Sequence, residues 1–302
     1  MMLTRQKILI YIISKANNDV SKFQLVKWSF LLAKEMSSPH LKTFYQFVPY
    51  QYGPFSFTLY HELNKLIGNG YLLSNNNKLK ELQNSNTPKL NCALQNTIDN
   101  LIDKFSEISD NELQKFVYNK FPWYTVNAAI TGNRLLERPT ANNAIYMMGY
   151  EGLHVDEFLD IIMKNGIKQL IDVRNNPISR RYGFHKSTLS NICQKLNINY
   201  KHFPQLGIPS SLRADLNNFN DYQNLFDQYE NIILPDNKYI NVSSNLINST
   251  PSVLICSEKN PKYCHRYRLA KKIKEQVNLP IIDLRDERQF KACTQKQKSL
   301  LR

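Results

Sequence analysis

The sequence predicts an α/β fold, a mainly parallel and doubly wound sheet over residues 139–302, preceded by a helical, winged-helix-like unit over residues 1–138. Three observations carry this. After residue 144, apolar runs of strand length alternate with amphipathic stretches, the pattern of a parallel sheet covered on both sides. Before residue 125, three helical stretches are followed by a short hairpin. Between the two lies the polar segment Arg134 to Asn143, which carries a proline and takes the boundary.

A chain of 302 residues exceeds the usual size of one core, which agrees with two domains. At 42% hydrophobic and 11% aromatic it can offset its folding entropy and is globular. No apolar run approaches the ~18 to 20 residues needed to span a bilayer, and Lys7 interrupts the opening helix, so no membrane segment or signal peptide is expected. The five cysteines are odd in number and scattered, unlike a secreted disulfide framework, and point to a reducing cytoplasm. The formal charge is +14, with 16 Lys/Arg against 10 Asp/Glu before residue 141 and 23 against 15 after it. Excess positive charge on both parts suits a polyanion, although many proteins are basic for no specific reason.

In order, Thr4 to Lys15 has helical apolar spacing, and Ser21 caps a second helix, Phe23 to Met36. Phe44 to Tyr52 alternates as a strand. Gly53-Pro54 breaks it, with glycine permitting the turn and proline starting the helix that runs from Ser56 towards Gly68. Tyr71 to Leu82 reads as a hairpin wing turning at Asn75 to Asn77, and helices follow at Ile98 to Phe105 and Asp110 to Lys120. The second part gives strands at 145–148, 169–173, 199–203, 252–256 and 280–283, with helices at 155–164, 187–196, 222–231 and 261–276.

The phrase FVPYQYGPFSFTLYHELNKLIGNGYL, followed by SDNELQKFVYNKFPWY, resembles the Panacea or SocA-type antitoxin-related domain over roughly residues 5–125. That resemblance implies an antitoxin or interaction module and does not by itself imply DNA binding.

Ligands of open α/β sheets lie beyond the carboxyl ends of the strands. Three places qualify: Gly149 to Gly152, Asp172 to Arg181, and Cys256 to Arg266. Asp172 and Arg174 have the period-2 spacing of one strand face, and Arg180 and Arg181 follow in a loop. This set is read either as a salt bridge fixing the strand end or as phosphate contacts beside a stacking ring, Phe184. In the third place a helix N-terminus with Lys259, His265 and Arg266 nearby suits an anion. It would also lower the pKa of Cys264, making Cys264 or Cys256 a candidate nucleophile, although the phosphatase spacing Cys-x5-Arg is absent. A metal reading through Cys256, Cys264 and His265 is disfavoured, because adjacent ligands on a helix diverge by ~100° and no Cys-x-x-Cys occurs. No metal and no cofactor are expected.

The ordered motifs GYEG, LIDVRNNPISRRYGFHKSTL, HFPQLGIPS and LICSEKNPKYCHRYRLA closely resemble the domain-of-unknown-function family four-eight-eight, over nearly all of residues 144–285. The resemblance implies an α/β fold with recurrent polar positions at Tyr150, Glu151, Asp172, Arg174, Pro177, Ser179, Arg180, Phe184, Lys186, Cys256, Glu258, Cys264, His265 and Arg266.

A basic winged-helix-like unit joined to an anion-binding site leads to a DNA-acting enzyme, with N-glycosidic release of a base, including a modified one, as the specific expectation. Such a reaction needs a carboxylate for the oxocarbenium-like sugar, cations for phosphates and an aromatic for the flipped base. Asp172 or Glu151 is assigned the electrostatic role, and Glu258 or His265 proton transfer. Arg174, Arg180, Arg181, Lys186, Lys259 and Arg266 are assigned to phosphates, and Tyr150 or Phe184 to stacking. Defence against phages with modified DNA is the setting that association suggests. The rivals are a rhodanese-like or phosphatase-like cysteine enzyme and a non-catalytic nucleic-acid-binding regulator. The sequence leaves open DNA against RNA, and whether the N-terminal unit positions DNA or mediates dimerisation.

Overall fold

The computed structural model describes residues 2–17, 20–36, 43–82, 90–129, 136–213 and 216–286. Cys293 and the start of the expected linker, residues 134–135, lie outside them. The chain divides into two compact units, Met1–Glu137 and Arg138–Arg302. No described helix is long and apolar enough to cross a membrane.

In the first unit, helix α1 (Thr4–Lys15) buries Ile8, Leu9, Ile10, Ile12 and Ile13. Strand β1 (Val20–Ser21) leads into α2 (Lys22–Glu35), where Ser21 is the cap: its side chain accepts from the Gln24 N–H while the Gln24 side chain reaches back. Helix α2 is central to the unit, with Trp28, Phe30, Leu31 and Leu32 all buried in its core. Strands β2 (Val48–Tyr50) and β3 (Gly53–Phe55) pair as a tight hairpin. Helix α3 (Phe57–Gly68) follows, capped by the Ser56 hydroxyl. Strands β4 (Leu72–Asn75) and β5 (Lys78–Glu81) then form a hairpin whose turn residues Asn76 and Asn77 both take positive φ, a conformation Asn tolerates well. With β1 they make an antiparallel sheet of order β1-β5-β4. Helices α4 (Cys92–Phe105) and α5 (Asp110–Lys120) complete the unit.

Two expectations are corrected here. Pro54 does not start a helix; it lies in β3, opposite Pro49. Gly53 is required for its φ of 94°, and a Cβ there would also stand 2.7 Å from the Tyr118 ring. Helix α4 begins at Cys92, six residues before the expected Ile98, because Asn91 caps it by accepting from the Leu94 N–H.

The Tyr52-Gly53-Pro54 turn has a second role. Lys27 is buried and its ammonium donates to the carbonyls of Tyr52 and Pro54. Burial lowers its pKa from 10.5 to about 7. Between these values the unfolded chain binds the extra proton, so this contribution to stability is complete above the unfolded value and declines until pH falls through the folded one. Urea unfolding of the wild type should show stability rising with pH from ~7.5 to ~9 by up to about 1.4 kcal/mol per pH unit. Lys27→Met should flatten that slope; an unchanged slope would exclude Lys27 as its source.

In the second unit, β6 (Ile145–Gly149), α6 (Val155–Lys164), β7 (Gln169–Asp172), α7 (Lys186–Lys195) and β8 (Asn199–His202) alternate. Helices α8 (Phe219–Gln228) and α9 (Lys238–Ser249) cross to β9 (Ser252–Cys256), and α10 (His265–Val277) leads to β10 (Ile281–Asp283). The five strands form one parallel sheet of order β10-β6-β9-β7-β8, as an α/β fold requires. Every residue of β6, β7 and β9 is buried, so both faces are covered. On one face Ile145, Met147, Ile171 and Leu254 pack with Leu225, Phe226, Ile240, Ile247, Leu269 and Ile273 from α8, α9 and α10.

Helix α9 has no counterpart in the sequence reading. Its asparagines and serines read as loop, yet Ile240, Ser243, Ser244 and Ile247 make a buried helical stripe. The expected helix from Pro261 is also corrected: Pro261–Tyr263 is a single 3₁₀ turn, and α10 starts only at His265.

Candidate active site

Parallel pairing brings the carboxyl ends of β6, β9 and β7 side by side, with Gly149 opposite Cys256 and Asp172 opposite Ile255. A cavity of about 450 Å³ opens there. Its wall takes Tyr150 from the first expected place, Arg174, Asn175, Asn176 and Ile178 from the second, and Cys256, Ser257 and Glu258 from the third. The loop after β8 adds Ile208, Ser210 and Arg213.

The loops behind this wall are tied to one another. The Tyr150 N–H donates to the Cys256 carbonyl and the Glu151 N–H to the Ser257 carbonyl. The Glu151 carboxylate accepts the Lys259 N–H at 2.8 Å, and Arg285 donates to the carbonyls of Gly149 and Glu151. Arg266 is fully buried and donates to the carbonyls of Glu258 and Lys259, with Asp283 at 3.7 Å. Glu151 and Arg266 therefore hold the loop that presents Glu258.

Asp172 is likewise committed. It is fully buried and accepts from the Arg174 backbone at 3.1 Å, from Arg174 Nε at 2.8 Å and from Arg174 Nη2, while the Tyr200 hydroxyl donates to it at 2.6 Å. Arg174 spends Nη1 on Tyr150 Oη and the Phe184 carbonyl. Of the two readings of this pair, the salt bridge that fixes a strand end matches the geometry. Phe184 has no exposed surface and stacks on Tyr150 with centroids 4.1 Å apart, so the two rings meet each other and Phe184 offers no face to a base. Arg181 donates to the Leu153 carbonyl at 2.8 Å, and Arg180, Lys186 and Lys259 are exposed outside the cavity wall. Arg174, Arg266 and Phe184 are buried; the Arg174 guanidinium is engaged by Asp172, Tyr150 and the Phe184 carbonyl, and the Arg266 Nη atoms by the Glu258 and Lys259 carbonyls.

A second polar group adjoins the cavity. Cys256 ends β9, with its Sγ 3.1 Å from Glu258 Oε2 and 3.8 Å from His265 Nδ1. His265 bonds through Nε2 to the Val173 carbonyl at 3.1 Å. The Cys256, Cys264 and His265 donor atoms all lie within 4.8 Å of one another, and all three residues are buried. The angular argument against these residues meeting does not apply, since Cys264 is extended (φ −138°, ψ 132°) and stands before the helix. The Asn260 side chain, by accepting from the Lys262 N–H, shapes the 3₁₀ turn that delays the helix start.

The hydrogen bond to Cys264, and then burial, raise the Cys256 thiol well above its usual range. Cys264 moves the other way: burial opposes it, but Cys256, Arg266 and His265 hold it well below. Burial, followed by the charge on Cys264, pushes the Glu258 carboxyl up to about 7. Cys193, by contrast, is pushed well above the usual thiol range, first by burial, and stands outside this group, as a structural thiol should.

Of the expected site residues, Tyr150, Arg174, Cys256 and Glu258 reach the cavity wall, and Asp172, Phe184, Cys264, His265 and Arg266 are buried outside its lining. The sequence reading did not assign Asn175, Asn176, Ser210, Arg213 or Ser257. Asn175 and Asn176 leave the end of β7, and the HFPQLGIPS motif ends at Ser210, so both loops carried a signal in retrospect.

No curated protein and no solved structure matches this chain. The likeness of the N-terminal unit to the Panacea or SocA-type domain has no support beyond its sequence motif. For the α/β unit there is a match: residues 154–273 fit the model of the family described as "Domain of unknown function DUF488".

Proposed function

We propose that the α/β unit is a hydrolase acting on DNA, releasing a base, modified bases included, by N-glycosidic cleavage. The observation that carries this reading is the place of Glu258, a carboxyl on the wall of a cavity at the carboxyl ends of three parallel strands. Glu258 keeps the proton-transfer role that the sequence reading gave to Glu258 or His265, while Asp172 lies buried outside the cavity lining. Asn176 offers an amide donor and acceptor suited to a base edge, Asn175 adds its Oδ1 while its Nδ2 donates to the Pro204 carbonyl, and Arg213 offers a guanidinium suited to a phosphate. Glu258 would hand a proton to the departing base nitrogen while water attacks the anomeric carbon. The order of three helices and a hairpin, closed by the β1-β5-β4 sheet, supports a winged-helix reading of the N-terminal unit, which would bring the duplex. Phage defence is the setting this combination suits.

The test is incubation of purified protein with unmodified and naturally modified phage DNA, followed by mass spectrometry for free base and alkaline cleavage at abasic sites. Glu258→Gln should lower the rate at least ~100-fold, in line with loss of a general acid. Binding without release from any substrate would replace the hydrolase with a regulator.

A cysteine enzyme is favoured by one observation, the Cys256 thiol on the same wall beside Glu258 and His265. It requires that alkylation of Cys256 by iodoacetamide stop turnover and that a covalent Cys256 adduct be trapped.

A further inference from the structure

We propose that Cys256, Cys264 and His265 form a zinc site at the wall of the cavity. The three residues arrive from different local structures: Cys256 is the last residue of the central strand β9, Cys264 is the extended residue before α10, and His265 is the first residue of that helix. Because Cys264 and His265 are not consecutive helical positions, their side chains can turn towards one point. Tetrahedral zinc, with Zn–S near 2.3 Å and Zn–N near 2.0 Å, requires S···S of about 3.8 Å and S···N of about 3.6 Å. Cys256 Sγ and His265 Nδ1 are 3.8 Å apart, and all three donor atoms lie within 4.8 Å. Among the described residues no other His, Cys, Asp and Glu side chains form such a group.

The surroundings fit a metal ligand set. His265 donates Nε2–H to the Val173 carbonyl, which fixes the tautomer whose bare Nδ1 faces the sulfurs. The Tyr229 ring packs edge-on against the imidazole at 5.3 Å. Two thiolates and an imidazole in tetrahedral reach select zinc over the harder cations. Three protein ligands also leave a fourth position for water, the pattern of a catalytic site. Cys256 and Glu258 both stand on the cavity wall, so the ion would sit there with Glu258 beside it.

In its role, though not in its existence, the site rests on the hydrolase reading. A water in the fourth position gives one proton to Glu258, and its oxygen forms the bond to the anomeric carbon as the carbon–nitrogen bond breaks. The departing base nitrogen then takes the proton from Glu258, so one water is consumed and Glu258 is restored.

The experiment uses the full chain, expressed with added zinc and purified without chelator. Elemental analysis should find one zinc per chain, and X-ray absorption should show two sulfurs at about 2.3 Å. Cobalt(II) replacement should give thiolate-to-metal charge transfer and intense tetrahedral visible bands. Cys264→Ser and His265→Asn should each weaken zinc binding at least ~10-fold, while Cys92→Ser, at an exposed thiol, should not. A folded chain that retains no zinc after reconstitution overturns the proposal, as does zinc with a shell of oxygen and nitrogen only. A metal-free protein whose mass shows a Cys256–Cys264 disulfide also overturns it. These results separate from the function: zinc bound with no base released removes the N-glycosidic reading alone, and undiminished base release by zinc-free protein removes the part given to zinc in that reaction alone.

Discussion

Gly149→Ala should collapse the candidate site. A Cβ at Gly149 would stand 1.8 Å from the Glu258 carbonyl oxygen, 2.5 Å from its carbon and 3.1 Å from Arg266 Nη1. Neither side can yield cheaply. Strand β6 is held between β10 and β9, and the Glu258 carbonyl is fixed by the buried Arg266 guanidinium. One methyl group must therefore push the loop that carries Glu258 out of the wall. Overpacking of this kind costs about 1–3 kcal/mol, and here the upper end is expected because the clash is with backbone. A displacement of about 1 Å at a reacting group costs on the order of 100-fold in rate. Urea unfolding of the α/β unit and base release from phage DNA should both report the change. Gly68→Ala is the control: a Cβ at the end of α3 meets nothing within 4 Å, and the substitution should be neutral or stabilising by up to about 1 kcal/mol. A Gly149→Ala protein within about 0.5 kcal/mol of wild type would mean that the Glu258 loop moves freely and that the wall is not rigid.

The location of this site was legible because parallel sheets announce themselves. Strands β6, β7 and β9 are short, mostly apolar runs whose carboxyl ends, at Gly149, Asp172 and Cys256, lead into loops rich in polar residues, and the carboxyl ends of three parallel strands must lie together. What one sequence could not reveal is which polar groups satisfy each other. Asp172 and Arg174 share a face by spacing, but β7 stops at Asp172, and the Arg174 side chain turns back to occupy that carboxylate. Tyr150 and Phe184 are 34 positions apart and read as two offers to a ligand, whereas they stack on each other. Cys264 and His265 were placed on a helix because Pro261 is a good first helical residue, and the intervening 3₁₀ turn has no strong sequence signature. Helix α9 was lost for a related reason, since Asn and Ser favour turns by local preference and only burial of Ile240 and Ile247 decides for helix.

Asp172→Ala should unfold the α/β unit at far lower urea than wild type, with a loss of about 3–5 kcal/mol. The carboxylate accepts three bonds from Arg174 and one from Tyr200 in a place with no exposed surface. Removing it leaves the Arg174 guanidinium buried without its counter-charge, and the Tyr200 hydroxyl without its acceptor. The penalty arises mainly from that stranded charge, so Asp172→Ala combined with Arg174→Met should recover part of the loss although two native side chains are gone. Asp172→Asn tests the same point more gently, because the amide keeps one acceptor but presents N–H groups towards Arg174 or Tyr200. The catalytic assignment and the structural one now give opposite patterns. If Asp172 served the reaction, Asp172→Asn would keep the wild-type urea midpoint and lose turnover. If it fixes the end of β7, the midpoint falls, and activity per folded molecule survives in the cold where the variant remains native. Glu258→Gln should behave in the reverse sense, with turnover lost and the midpoint nearly unchanged, because its carboxyl stands on the cavity wall. A pair of variants with both effects interchanged would return the reaction to Asp172 and remove Glu258 from it.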